Sequence, residues 1–289
     1  MKVANELGNT LLSIRSHLNA LTKTEAVVAQ YVLDHPDEVI YLSVTDVAKQ
    51  ADVGETTVLR FCRKLGFRGF QDFKLLLAQD LVQLVQPLGH THEEVNADDD
   101  PSTISQKIIA LHNRILENTG RLLDGNKLGQ AIELLVAAET IHFYGVGSSG
   151  LTALQAAHSF SRIGKRCDAK QDTHFQAMAA SLLTKKDVAI GISISGSTKD
   201  TIENLRLAKE AGAKVICITQ HALSPITKLA DVDLLMAARE NPLQGSSLSA
   251  KISQLTVIDI LCTGLSLRLQ ETAHASRVRT AKAVSEKLY

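Results

Sequence analysis

Between about residues 126 and 270, short β-branched runs alternate with stretches of helical periodicity. The runs are "TIHFYGVG" (140–147), "DVAIGIS" (187–193), "KVICIT" (214–219) and "DVDLLMA" (231–237). Strands separated by helix-length segments cannot pair as hairpins, so the alternation predicts a parallel sheet covered by helices on both faces, a doubly wound α/β domain. No strand pattern appears in residues 1–82. There the capping-box spacings Thr22 with Glu25 and Ser43 with Asp46 mark helix starts and predict an all-α domain. Residues 83–103, "QLVQPLGHTHEEVNADDDPST", hold two prolines, a glycine and five acidic residues, and read as a linker. The expected division is therefore 1–82, linker 83–103, and 104–289.

The helical part contains "SVTDVAKQADVGETTVLRFCRKLGF" (43–67). It is read as a helix over about 43–50, a tight turn at Ala51–Gly54, and a second helix over about 55–64. Val44, Val47, Ala48, Val53, Val58 and Leu59 form the packing face. This is the helix-turn-helix pattern, with the second helix offered to the DNA major groove. Whole-chain charge carries no information about DNA, since 31 basic residues balance 31 acidic ones. From Thr56 to Gln71, however, Arg60, Arg63, Lys64 and Arg68 stand without an acid, which is where DNA binding needs the balance broken. Thr56 and Thr57 could reach phosphates or base edges, and Arg60 is the guanine reader. The bland alternative is that these cations only solvate a helical hairpin. Phe67, Phe70 and Phe73, at i, i+3 and i+6, are read as core.

In the α/β part, "GVGSSG" (145–150) and "SISGSTKD" (193–200) each follow a strand and open a helix. Helix starts leave backbone N–H groups unpaired and favour an anion. The first loop also fits the G-x-G-x-x-G dinucleotide fingerprint, with Asp168 about 20 residues on as that motif asks. Ser148 and Ser149 put hydroxyls where a dinucleotide needs open backbone, and the second loop is again serine-rich. One phosphate held from two adjacent strand ends accounts for both loops, so a phosphosugar fits better. Its phosphate would be held by Ser148, Ser149, Ser193, Ser195, Ser197 and Thr198, with backbone around Gly147 and Gly196 and without an Arg or Lys. The competing structural role is helix N-capping.

Together, "GVGSSG", "SISGSTKD" and a helix-turn-helix ending "RFCRKLGFRGFQDFK" resemble the RpiR family of bacterial transcription regulators, whose C-terminal part is a sugar isomerase (SIS) domain. The resemblance spans nearly the whole chain. It implies a sugar-phosphate-responsive regulator of carbohydrate-metabolism genes, a homodimer or homotetramer on double-stranded operator DNA. It also implies effector contacts from Ser149, Ser193, Ser195 and Thr198, with Glu240 reaching the sugar. A phosphosugar isomerase, with Glu240 as base and His174 as acid, is the alternative. Because turnover would consume the signal, binding without catalysis is expected.

A single helix-turn-helix covers one half-site, so a two-fold dimer is expected, with its contact on the apolar helix "SAKISQLTVIDILCTGLSLRL" (249–269). Cys62, Cys167, Cys217 and Cys262 lie far apart with no Cys-x-x-Cys pair, as reduced core thiols do. No metal or cofactor is expected. No apolar run of about 18 residues and no signal core is read from the sequence, so no membrane contact and a cytoplasmic location are expected.

Overall fold

The computed structural model describes residues 10–84, 95–222, 224–238, 248–285 and 287. The chain divides into two compact units, with the division falling inside one helix, between Ile108 and Ile109.

The first unit is helical. It comprises α1 (Thr10–His17), a 3-10 turn (Leu18–Ala20), α2 (Lys23–Asp34), α3 (Pro36–Val39), α4 (Val44–Gln50), α5 (Glu55–Lys64) and α6 (Phe70–Leu84). Both capping boxes close. The Thr22 N–H donates to the Glu25 carboxylate at 2.9 Å, and the Ser43 N–H to Asp46 at 3.1 Å, each answered by the reciprocal bond. Helix α4, a short turn and α5 form the helix-turn-helix. The left-handed residue of the turn is Asp52 (φ 49°), while Gly54 is extended and precedes α5. Aspartate tolerates that conformation better than most side chains. Thr45 Oγ1 donates to Glu55 at 2.9 Å and so ties the start of α4 to the start of α5. Val47, Ala48 and Val58 are buried, whereas Val44, Val53 and Leu59 pack at the margin. Phe67, Phe70 and Phe73 are core residues: Phe73 meets Phe61 and Phe67 edge-on at 5.6 and 5.2 Å between ring centres.

Helix α7 (Pro101–Leu122) starts inside the stretch read as linker. Asp100 caps it by accepting the Thr103 N–H at 2.7 Å, and proline suits a first helical position. Then follow α8 (Gly125–Ala137), β1 (Thr140–Tyr144), α9 (Ser148–Arg162), β2 (Arg166–Ala169), α10 (Thr173–Ser181), β3 (Val188–Ile192), α11 (Lys199–Glu210), β4 (Lys214–Thr219), β5 (Val232–Leu235), α12 (Leu248–Leu269) and α13 (Glu271–Ser285). The five strands are parallel in the order β2-β1-β3-β4-β5. One face is covered by α8, α9 and α12 over Ile141, Phe143, Ile190 and Ile218. The other packs α10 and α11 over Tyr144, Ala189 and Cys217.

Strand β2 was not foreseen, because "RCDA" is a short, half-exposed edge strand with a charge at two of its four positions. Helix α12, expected to carry the dimer contact, buries ten residues within its own unit, chiefly against α8 and α9, and leaves Leu248, Ile260 and Leu267 exposed. Its length and composition would suit a membrane span; Val257, Ile258, Leu261 and Leu265 are core. Cys62, Cys217 and Cys262 are buried, and Cys167 is half-buried. Burial pushes the thiols of Cys62, Cys167 and Cys217 up to about 12.

Candidate functional site

In the order β2-β1-β3-β4-β5, the chain leaves β1 toward one sheet edge and β3 toward the other. The crevice where these crossovers diverge, at the carboxyl ends of the strands, is where open α/β sheets hold ligands. Both serine loops lie there. A dinucleotide fold would instead place β1 between β2 and β4. Asp168, the acid that fingerprint required, sits within β2 and is engaged by Lys170 at 2.9 Å.

The first loop is shaped by close backbone approach. A Cβ on Gly145 would lie 2.8 Å from the Ser149 carbonyl group, and Gly147 holds φ 59°. Gly147 is the N-cap of α9 and offers no side chain, so the first N–H groups of α9 are uncapped. Ser149 is buried, and its oxygen accepts from Gln254 Nε2 at 2.9 Å; the Gln254 oxygen in turn accepts from Thr152 Oγ1 at 2.7 Å. With a lone pair of Ser149 so engaged, its own proton is left to point at another acceptor. Lys251 donates to the Ser148 carbonyl at 2.8 Å, and desolvation lowers its pKa. On the other side, Gln176 donates to the carbonyls of Gly145 (3.0 Å) and Lys170 (2.7 Å) and accepts from Asn204 of α11 at 2.8 Å.

The second loop folds on itself. Ser193 and Thr198 hydroxyls lie 3.0 Å apart, Ser195 Oγ accepts the Ser197 N–H at 3.3 Å, and Ser197 Oγ donates to the Ser195 carbonyl at 3.2 Å. Gly196 holds φ 61°, and a Cβ there would strike Ser224 and come within 2.9 Å of Thr219 Oγ1. Thr198 is the N-cap of α11, yet its hydroxyl makes no capping bond. Neither helix start in the crevice is therefore capped by a side chain. This leaves two positive helix ends and a set of hydroxyls at the carboxyl ends of the adjacent strands β1 and β3, an arrangement suited to a phosphate.

Six of the seven expected effector residues, Ser148, Ser149, Ser193, Ser195, Ser197 and Thr198, lie in the segments that run from the ends of β1 and β3 into the starts of α9 and α11; Glu240 lies outside the described residues. His174 is exposed at the second position of α10. Sequence reasoning missed Lys251 and Gln254. Their i, i+3 spacing on one face of α12 was the available signal, but nothing in the sequence says that this face meets α9.

On α5, Thr56, Arg60, Arg63, Lys64 and, just beyond, Arg68 are exposed, and Thr57 is half-buried. The acid-free stretch is acid-free only along the chain. Glu25 of α2 lies 3.0 Å from Lys64 and 3.6 Å from Arg60, and Asp72 pairs with Arg68 at 2.9 Å. The Thr22 N–H, assisted by Lys64, holds the Glu25 carboxyl down at about 2.

Residues 8–83 match the helix-turn-helix domain of the rpiR family, and residues 134–264 match the SIS domain. An uncharacterized HTH-type transcriptional regulator of Haemophilus influenzae is 38% identical over 280 residues, 96% of this chain and 97% of that one. The chain belongs to the rpiR family of helix-turn-helix transcriptional regulators. Another relative is the HTH-type transcriptional regulator HexR of Escherichia coli, 34% identical over 96% of this chain and 95% of its own. Among solved structures, Vibrio vulnificus NanR complexed with ManNAc-6P has a TM-score of 0.86 at 31% identity, covering 97% of this chain and 99% of that one. The rpiR-family match spans α1 to α6, and the SIS match includes both serine loops and Lys251.

Proposed function

We propose that this rpiR-family protein regulates carbohydrate-metabolism genes in the cytoplasm, binding operator DNA through α5 as a homodimer and a sugar phosphate, without turning it over, in the crevice between β1 and β3. The observation that carries the reading is the pair of helix starts without side-chain caps and their hydroxyls at the sheet's switch point, on a chain that also holds a helix-turn-helix. Ser149, Ser193, Ser195 and Thr198 hold the phosphate, Ser148 and Ser197 shape the loops, and Lys251 supplies a cation the sequence reading did without. The sugar 6-phosphate bound by NanR supports an amino-sugar phosphate as first candidate. On α5, Thr56, Thr57 and Arg63, with Arg68 just beyond it, meet the phosphate backbone, while Arg60 reads a base edge. Residues 1–82 and 104–289 are the separable parts.

The test is a thermal-shift panel of hexosamine, muramic and ketose phosphates with inorganic phosphate and NAD as controls. A ligand at 100 times its Kd stabilises the native state by about 2.7 kcal/mol. One phosphosugar should shift the midpoint and survive incubation unchanged by NMR. Conversion to an isomer would replace the reading by an enzyme, and a shift by NAD alone would return it to a dinucleotide site.

A further inference from the structure

Among the cations of α5, Arg60 and Lys64 differ from Arg63 in facing a carboxylate from another helix. Glu25 has a side chain only 3% exposed, while those of Arg60 and Lys64 are 63% and 37% exposed. The two cations stand four residues apart on α5, so both heads reach one point on α2. That point is immobile: the Glu25 carboxylate accepts the Thr22 N–H at 2.9 Å while the Glu25 N–H donates to Thr22 Oγ1. Lys64 donates a hydrogen bond to it at 3.0 Å, whereas Arg60, at 3.6 Å, is drawn to it by charge without a hydrogen bond. The guanidinium fork of Arg60 is thus oriented and still has its donors to give.

We propose that Glu25 is a positioning residue for DNA reading: it holds Lys64 and orients Arg60, so that neither head follows an arbitrary phosphate and Arg60 is spent on a base edge. The inference rests on the DNA-binding role of α5. On random DNA, phosphates must compete with a fixed carboxylate, and no base contact offsets the loss. On a matched site, a bidentate guanine contact can form from the oriented fork. Glu25 therefore sets the ratio of specific to non-specific affinity.

The experiment compares the wild-type full chain with Glu25→Gln, because glutamine preserves the capping box. Binding to a random-sequence 30-base-pair duplex is measured from 50 to 200 mM salt, alongside a duplex selected from a random pool by the wild type. Glu25→Gln is expected to bind random duplex about two- to fivefold more tightly at low salt, the value of one exposed ion pair. Its salt slope should steepen by about 0.9, one more phosphate neutralised. Preference for the selected duplex should fall, and in an Arg60→Gln/Lys64→Gln background the Glu25 change should do nothing.

Unchanged or weaker binding to random duplex with an unaltered slope overturns the proposal, as does an effect that persists in the double background. Should Glu25→Gln lose its fold, Lys64→Gln carries the test. Its slope on random duplex should equal wild type, and a slope shallower by about 0.9 overturns the proposal. If the wild type selects no duplex, the regulator reading fails by itself, while the random-duplex arm still decides the role of Glu25.

Discussion

Ser149 faces a hydrogen-bond partner inside the protein and lies in the first turn of α9 at the same time. Its oxygen is engaged by Gln254, so truncation leaves a buried amide donor unpaired at a cost of about 1–3 kcal/mol. Ser195 is hydrogen-bonded to Ser197 of its own loop. Ser149→Ala with Ser195→Ala should therefore lower the melting midpoint modestly and abolish the further rise caused by a phosphosugar. A retained ligand-induced rise would show that the phosphate lies elsewhere.

Glu25 makes a pH prediction at the same scale. Its carboxyl is lowered from 4.5 to about 2 by the Thr22 N–H and Lys64. A depressed carboxylate contributes stability above its unfolded value and loses it as pH falls through the folded value, here between about 4.5 and 2. Glu25→Gln should flatten that acid limb of the helical unit in circular dichroism. An acid limb identical to wild type would mean the shift is offset elsewhere.

At the scale of elements, two glycines decide where the helices of the crevice begin. Gly145 allows β1 to turn directly under Ser149, and Gly196 takes a left-handed turn against Ser224 and Thr219. Gly196→Ala meets strain of about 1–3 kcal/mol from backbone conformation and a collision besides. It should destabilise the α/β unit and erase the phosphosugar response, whereas Gly125→Ala, in open space at the start of α8, should leave that response intact. Equal ligand response in Gly196→Ala and wild type would show that this turn does not shape the site. Strands β1, β3, β4 and β5 were legible because they are apolar and β-branched. Strand β2 was not, because its four residues, RCDA, include an arginine and an aspartate and none is fully buried.

For the whole molecule, the proposed dimer has a candidate contact face on α10 besides the one expected on α12. Phe175, Met178 and Leu182 recur at i, i+3 and i+7 on α10 and just beyond its end, at 58%, 60% and 79% exposure. They flank a cavity of about 490 Å³ floored by His142, Asp168 and Lys170. A two-fold regulator needs a self-complementary face, and this one is apolar. Residues 104–289 should sediment as a dimer at micromolar concentration, and Phe175→Ser with Met178→Ser should make the full chain monomeric and weaken operator binding more than phosphosugar binding. A dimer that survives the double substitution would put the contact elsewhere.

Local chemistry was enough to identify two kinds of domain, both capping boxes, the helix-turn-helix and the two hydroxyl loops. Each is written in residues adjacent along the chain, through periodicity, caps and turn composition. Tertiary structure alone decided that α12 packs against α8 and α9, that Lys251 and Gln254 meet the first loop, and that Glu25 stands against Arg60 and Lys64. The separations are 103 residues from Lys251 to Ser148 and 39 from Lys64 to Glu25. Pairings of that range depend on how helices pack, and no window of sequence contains both partners.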